Sequence, residues 1–187
     1  MRPKISCICH LISTVKTDIE VLILQHPLEV FETKGTARLL HLSLPNSFML
    51  IGEVFEQNIL FSTKNTLLLY PTTPEDHSLG ITAPPVLDAT WLNDLNNIRL
   101  IIIDGTWRKS RKILCKNPYL QTLPRLILAD LPAGQYTIRK ARKPHQLSTM
   151  EAASAALAQL ENDTVKYAPL KHAFSAFNAL IAAQMKH

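Results

Sequence analysis

One segment of this 187-residue chain sets a buried-strand pattern directly against groups that can do chemistry. Leu100, Ile101, Ile102 and Ile103 form a continuous apolar run that ends in Asp104-Gly105-Thr106-Trp107. A basic run follows at once, with Arg108, Lys109, Arg111 and Lys112. In an open parallel sheet, ligands bind beyond the carboxyl ends of the strands, which is where Asp104 falls. A carboxylate partly buried there is a better base than a solvated one. An aspartate in the same place also caps the helix that follows. Position alone selects neither role.

Arg108, Arg111 and Lys112 lie three and four residues apart and so share one helical face. Further along come Lys116, Arg125 and the cluster Arg139, Lys140, Arg142 and Lys143. Two basic groups flanking one candidate site suit phosphate contacts, which position a nucleic acid without reading its sequence. A merely solvated helix face is the competing reading. His26, at the end of an apolar run, offers an imidazole that titrates near neutrality, although strand ends often carry a histidine only for its hydrogen bonds. Tyr70-Pro71 closes another apolar run and either lines the same cleft or makes a turn. Ser148-Thr149-Met150-Glu151 matches the S-x-x-E capping box, and a helix starting there presents N–H groups and its positive dipole end to an anion.

The elements that must position these residues alternate in type. Val21–Gln25, Phe48–Ile51, Leu67–Tyr70, Leu100–Asp104, Arg125–Ala129 and Tyr136–Arg139 read as strands. Most are continuous apolar runs, as strands covered on both faces are. Helices are expected over Thr36–Ser43, Asp88–Asn96, Thr106–Lys116, Thr149–Glu161 and Lys166–Lys186. In the last of these, Phe174, Phe177, Leu180 and Ile181 recur at helical spacing. The pattern is that of a single α/β domain spanning 1–187, with a mostly parallel sheet and helices on both faces.

Composition removes several function classes. Hydrophobic residues make up 47% and charged residues 19%, an ordinary globular balance that excludes disorder as the main state. Five glycines, at 35, 52, 80, 105 and 134, form neither G-x-G nor a phosphate-binding G-x-x-x-x-G-K sequence. Rossmann-type and P-loop nucleotide sites are therefore out. The net charge of +5 permits a polyanionic partner. Three irregularly spaced cysteines, Cys7, Cys9 and Cys115, point to a reducing cytoplasm and not to a disulfide framework. Cys7, Cys9 and His10 are zinc-type side chains, but zinc wants four ligands and no second pair follows, so no metal is expected. Ala173–Met185 is too short and too polar to span a bilayer, and no secretory leader is apparent. A monomer and a weak dimer are both compatible with the chain.

Asp104-Gly105-Thr106-Trp107 with its basic helix resembles the D-x-T-W signature of the DTW-domain family. Arg2-Pro3 with Cys7 and Cys9, Leu24 to Glu29, Thr36 to Leu40, Tyr70-Pro71 and Leu147 to Ala152 agree in order, so the resemblance runs from Arg2 beyond residue 160. It implies a tRNA-uridine aminocarboxypropyltransferase, related to knotted SPOUT-like proteins, with a C-terminal knot. Such an enzyme uses S-adenosylmethionine as co-substrate and places a 3-amino-3-carboxypropyl group on N3 of a tRNA uridine. Asp104 would then take the N3 proton. Gly105 would let backbone approach the ligand, the Thr106 hydroxyl would fix an oxygen, and Trp107 would stack on a base or wall the adenosine pocket. Tyr70, Pro71, Leu147, Ser148 and Thr149 would complete the cofactor loops. His26 and Arg38 would touch the tRNA, together with Arg108, Arg111, Lys112, Arg139, Lys140, Arg142 and Lys143. Relatives often carry a further cysteine pair before the Arg-Pro, which this sequence lacks. The alternatives on the same scaffold are an RNA methyltransferase and an aminocarboxypropyltransferase acting on ribosomal RNA. A non-catalytic RNA-binding module is the alternative from a different class.

Overall fold

Five strands carry the site: β1 (Glu20–Gln25), β2 (Ser47–Ile51), β3 (Asn65–Leu69), β4 (Ile98–Asp104) and β5 (Arg125–Leu126). In the computed structural model, which describes residues 7–71, 83–129 and 147–185, every strand pairing is parallel. The order across the sheet is β2-β1-β4-β3-β5. The central strands are the continuous apolar runs of the sequence, and side-chain alternation sends their residues to two cores. Val21, Ile23, Leu100 and Ile102 join one cluster; Leu22, Leu24, Leu68 and Ile101 join the other.

Helices α1 (Ala37–Ser43), α5 (Thr149–Glu161) and α6 (Ala168–Gln184) cover the first face. The short α2 (Gln57–Leu60), α3 (Trp107–Lys116) and the short α4 (Pro118–Gln121) cover the second through Leu60, Ile113, Leu114 and Leu120. From β1 the chain passes through α1 to β2; from β4 it passes through α3 and α4 toward β5, in the opposite direction and over the opposite face. That is the arrangement required when both crossovers have the same hand. It makes the β1–β4 boundary the switch point of the sheet.

The helix ends follow local chemistry. In α5 the Ser148 hydroxyl accepts from Glu151 N while the Glu151 carboxylate accepts from Ser148 N, and the helix stops at Asn162 in the left-handed region. Helix α6 opens with a proline in its first turn and buries Phe174, Phe177 and Ile181.

Two expected elements differ. Residues 88–96 form two short 3-10 turns, Ala89–Asn93 and Leu95–Asn97, in place of one α-helix. The segment is rich in Asp and Asn, whose side chains compete with helical hydrogen bonds; the Asp88 carboxylate accepts from Thr90 N and from its hydroxyl. The strand expected over Arg125–Ala129 ends at Leu126. Beyond it, the Gln159 amide of α5 accepts from Ala129 N and donates to Ile127 O, taking the place of a strand partner. The strand expected at Tyr136–Arg139 lies outside the described residues. Among the described residues no helix is long and apolar enough to cross a membrane.

Candidate active site

Register, not sequence proximity, builds the centre of the site. Gln25 and Asp104 are paired across β1 and β4 at the ends of both strands. Their side chains project from the sheet face that α5 covers, because Val21, Ile23, Leu100 and Ile102 do. Gln25 Nε2 donates to Asp104 Oδ2 at 2.9 Å, and the Thr149 hydroxyl, on the first residue of α5, donates to Oδ1. Asp104 is 5% exposed. A buried carboxylate held between two donors, one of them at the positive end of a helix, is well arranged for an anion. The capping role belongs instead to Thr106, whose hydroxyl accepts from Lys109 N.

The turn between β4 and α3 is tight. A Cβ added to Gly105 would lie 3.1 Å from Lys109 Cβ, a close contact from which Lys109 would have to give by a few tenths of an ångström. His26 is buried. Its N–H donates to the Asp104 carbonyl, its Nδ1 accepts from Leu28 N, and its Nε2 faces Glu53 at 2.9 Å. Acceptance at Nδ1 leaves the proton on Nε2, donated to Glu53. Glu53 also receives Lys112 and Lys116, each at 2.7 Å. These two ammonium groups hold its carboxyl down at about 2. Lys109 is paired with the buried Glu29 at 2.8 Å.

Above Asp104 lies a cleft of about 320 Å³. Its lining comes from the ends of β3, β4 and β5 and the start of α5: Tyr70 and Pro71, Gly105 and Trp107, Leu126 to Leu128, and Leu147 to Thr149, with Ser110 and Ala152. The walls are mainly apolar and aromatic with a few polar groups, and the size suits a nucleoside-sized ligand. Tyr70 meets Trp107 edge to face, 5.8 Å between ring centroids at 77°. Burial raises the Tyr70 phenol above its ordinary value, against a hydrogen bond with Ser110. Three N–H groups at the start of α5 already have acceptors: Ser148 N in Glu151, Glu151 N in Ser148 and Met150 N in Thr36.

Seven of the residues expected around the cofactor therefore share one cleft: Tyr70, Pro71, Gly105, Trp107, Leu147, Ser148 and Thr149. Thr106 caps α3 outside that lining, and Asp104 lies beneath it, reached through Thr149. Arg108, Arg111 and Lys112 are exposed on α3. Arg38 is exposed on α1, where its charge acts on Cys9 and His41. Arg139, Lys140, Arg142 and Lys143 lie outside the described residues. Sequence reasoning missed Gln25, Ser110 and the Leu126–Leu128 wall. For Gln25 a signal existed: a polar residue in phase with Val21 and Ile23, where an apolar one would continue the core. Among the described residues no group of three metal-type side chains gathers.

The cleft lies beyond the carboxyl ends of β3, β4 and β5, where open parallel α/β sheets bind ligands. The chain belongs to the DTW-domain family: the family's DTW domain model matches residues 1–182. It is similar to tRNA-uridine aminocarboxypropyltransferase 2 of Mus musculus, 29% identical over 201 residues covering 100% of this chain and 62% of that protein. The protein of the same name from Drosophila melanogaster is 30% identical over 179 residues, covering 86% of this chain and 64% of its own length. tRNA-uridine aminocarboxypropyltransferase A of Arabidopsis thaliana is 26% identical over 60% of this chain and 47% of its own length. The chain thus spans less than two thirds of the length of these relatives. No solved structure matches it.

Proposed function

We propose that this protein is a tRNA-uridine aminocarboxypropyltransferase on a SPOUT-like scaffold, acting in the cytoplasm and drawing its 3-amino-3-carboxypropyl group from S-adenosylmethionine. The observation that carries the reading is the buried Asp104, joined through the Thr149 hydroxyl to an aromatic-walled cleft of nucleoside size. The names of the relatives support the reaction and the substrate class.

S-adenosylmethionine supplies an activated sulfonium leaving group, so the protein's tasks are positioning and proton removal. Tyr70, Pro71, Trp107 and Leu147 hold the adenosine against apolar and aromatic surface. The Thr149 N–H and the dipole of α5 receive the methionine carboxylate. Asp104 accepts the uridine N3 proton by way of the Thr149 hydroxyl, which passes its own proton to Oδ1. Gln25 holds the carboxylate in place for that transfer. As the N3–Cγ bond forms, the S–Cγ bond breaks; its electron pair stays on sulfur, and methylthioadenosine leaves. Arg108, Arg111 and the cluster from Arg139 to Lys143 contact tRNA phosphates.

Calorimetry with S-adenosylmethionine, followed by mass spectrometry of nucleosides from tRNA incubated with protein and cofactor, tests the proposal. Binding heat and an aminocarboxypropyl-uridine are expected. No heat and unmodified tRNA would favour the non-catalytic RNA-binding module.

A further inference from the structure

Arg125 is out of place for an edge strand. It opens the two-residue β5, and only 6% of it is exposed. Its Nη1 donates to Leu120 O at 2.7 Å, but Nε and Nη2 have no hydrogen-bond partner among the described residues. A buried cation lacking two hydrogen bonds costs stability, and an apolar side chain of similar length usually replaces such a group at no loss. Packing alone does not account for it.

Its neighbour suggests what does. The Arg125 guanidinium carbon lies 5.7 Å from the centroid of the Tyr70 ring. The Tyr70 ring meets Trp107 edge to face, and the Ser110 hydroxyl donates to Trp107 O. Tyr70, Ser110 and Trp107 line the cleft, whereas Arg125 does not. We propose that Arg125 is a positioning residue: its guanidinium pins the Tyr70 ring from behind, and Tyr70 in turn holds Trp107 upright as a wall for the flat face of the ligand. This rests on the reading of the cleft as the S-adenosylmethionine site.

Arg125→Met keeps the length and removes the charge and the donors. The thermal midpoint should stay level or rise, because a buried charge with two donors unsatisfied among the described residues is gone. Affinity for S-adenosylmethionine should fall about 3- to 10-fold, the scale of a lost cation–π contact, with KM raised and kcat at saturation unchanged. In a Tyr70→Leu background the same substitution should add no further loss. The emission of Trp107, read in a Trp91→Phe background, should shift with Arg125→Met only while Tyr70 is present. If Arg125→Met destabilises the fold, Arg125→Gln, which also removes the cation, serves the same comparison and should shift affinity and emission in the same direction. Unchanged affinity and unchanged emission would overturn the proposal, as would losses that add fully to those of Tyr70→Leu. A wild-type protein that does not bind the cofactor would overturn the cleft assignment alone; the emission comparison would still decide whether Arg125 acts through Tyr70.

Discussion

Asp104 has two donors on its carboxylate and is followed by a glycine packed closely against Lys109. Asp104→Asn preserves the size and one acceptor for Gln25. The Thr149 hydroxyl can turn to accept from the new amide, so folding should survive with a loss of about 1 kcal/mol. Turnover should drop at least ~100-fold, the scale of a lost general base. Thr149→Val should fall by a similar factor of about 100 if the proton travels through its hydroxyl, whereas Thr149→Ser should keep most of the activity. Single-turnover rates at saturating cofactor check all three. Near-normal rates for a soluble Asp104→Asn variant would leave Asp104 only a structural tie between β4 and α5. That tie was invisible in the sequence, since it depends on Gln25 and Asp104 being in register and on Thr149 arriving from 45 residues away.

Helix α3 is the element on which charge matters most, and its basic residues are not equivalent. Lys109 is engaged by Glu29, and Lys112 and Lys116 by Glu53. Substituting the exposed Arg108 by Gln should therefore flatten the salt dependence of tRNA binding, by roughly 0.7–0.9 in slope if one phosphate contact is removed. Lys112→Gln should change the slope less, because Glu53 already offsets that charge. Equal slopes for all the variants would show that this face is only solvated. Glu53 also carries a pH signature. Its carboxyl sits at about 2, below its usual 4.5, so its contribution to stability is full above about 4.5 and disappears as the pH falls through about 2. Urea midpoints measured from pH 6 downward should show the gap between wild type and Glu53→Gln closing as the pH drops; a constant gap would show that the Lys112 and Lys116 pairs with Glu53 add nothing to stability. The basic run could be read directly from the sequence. Its pairing could not, because Glu29 and Glu53 come from the loops after β1 and β2, which the sheet order brings beside α3.

At the scale of the molecule, the sheet was legible wherever strands are buried on both faces, since burial makes their sequences continuous and apolar. Residues 88–97 were less so, because Leu87, Trp91 and Leu95 supply an apolar pattern while Asp and Asn side chains deny it a helix. The cleft collects the ends of three strands and the start of α5 at one edge of the sheet, and no one-dimensional pattern assembles such a set. Its capped helix and its Tyr70-Pro71 and Asp104–Trp107 turns were each visible separately. The transferred group depends on which carbon of the sulfonium meets the uridine nitrogen at roughly 3–3.5 Å. Unmodified tRNA incubated with S-adenosylmethionine labelled either in the methyl group or in the methionine carboxylate carbon tests it most directly. Carboxylate label should enter the RNA, methyl label should stay out, and methylthioadenosine should accumulate. Methyl label in the RNA with S-adenosylhomocysteine as the by-product would contradict the aminocarboxypropyl reading and make the protein a methyltransferase.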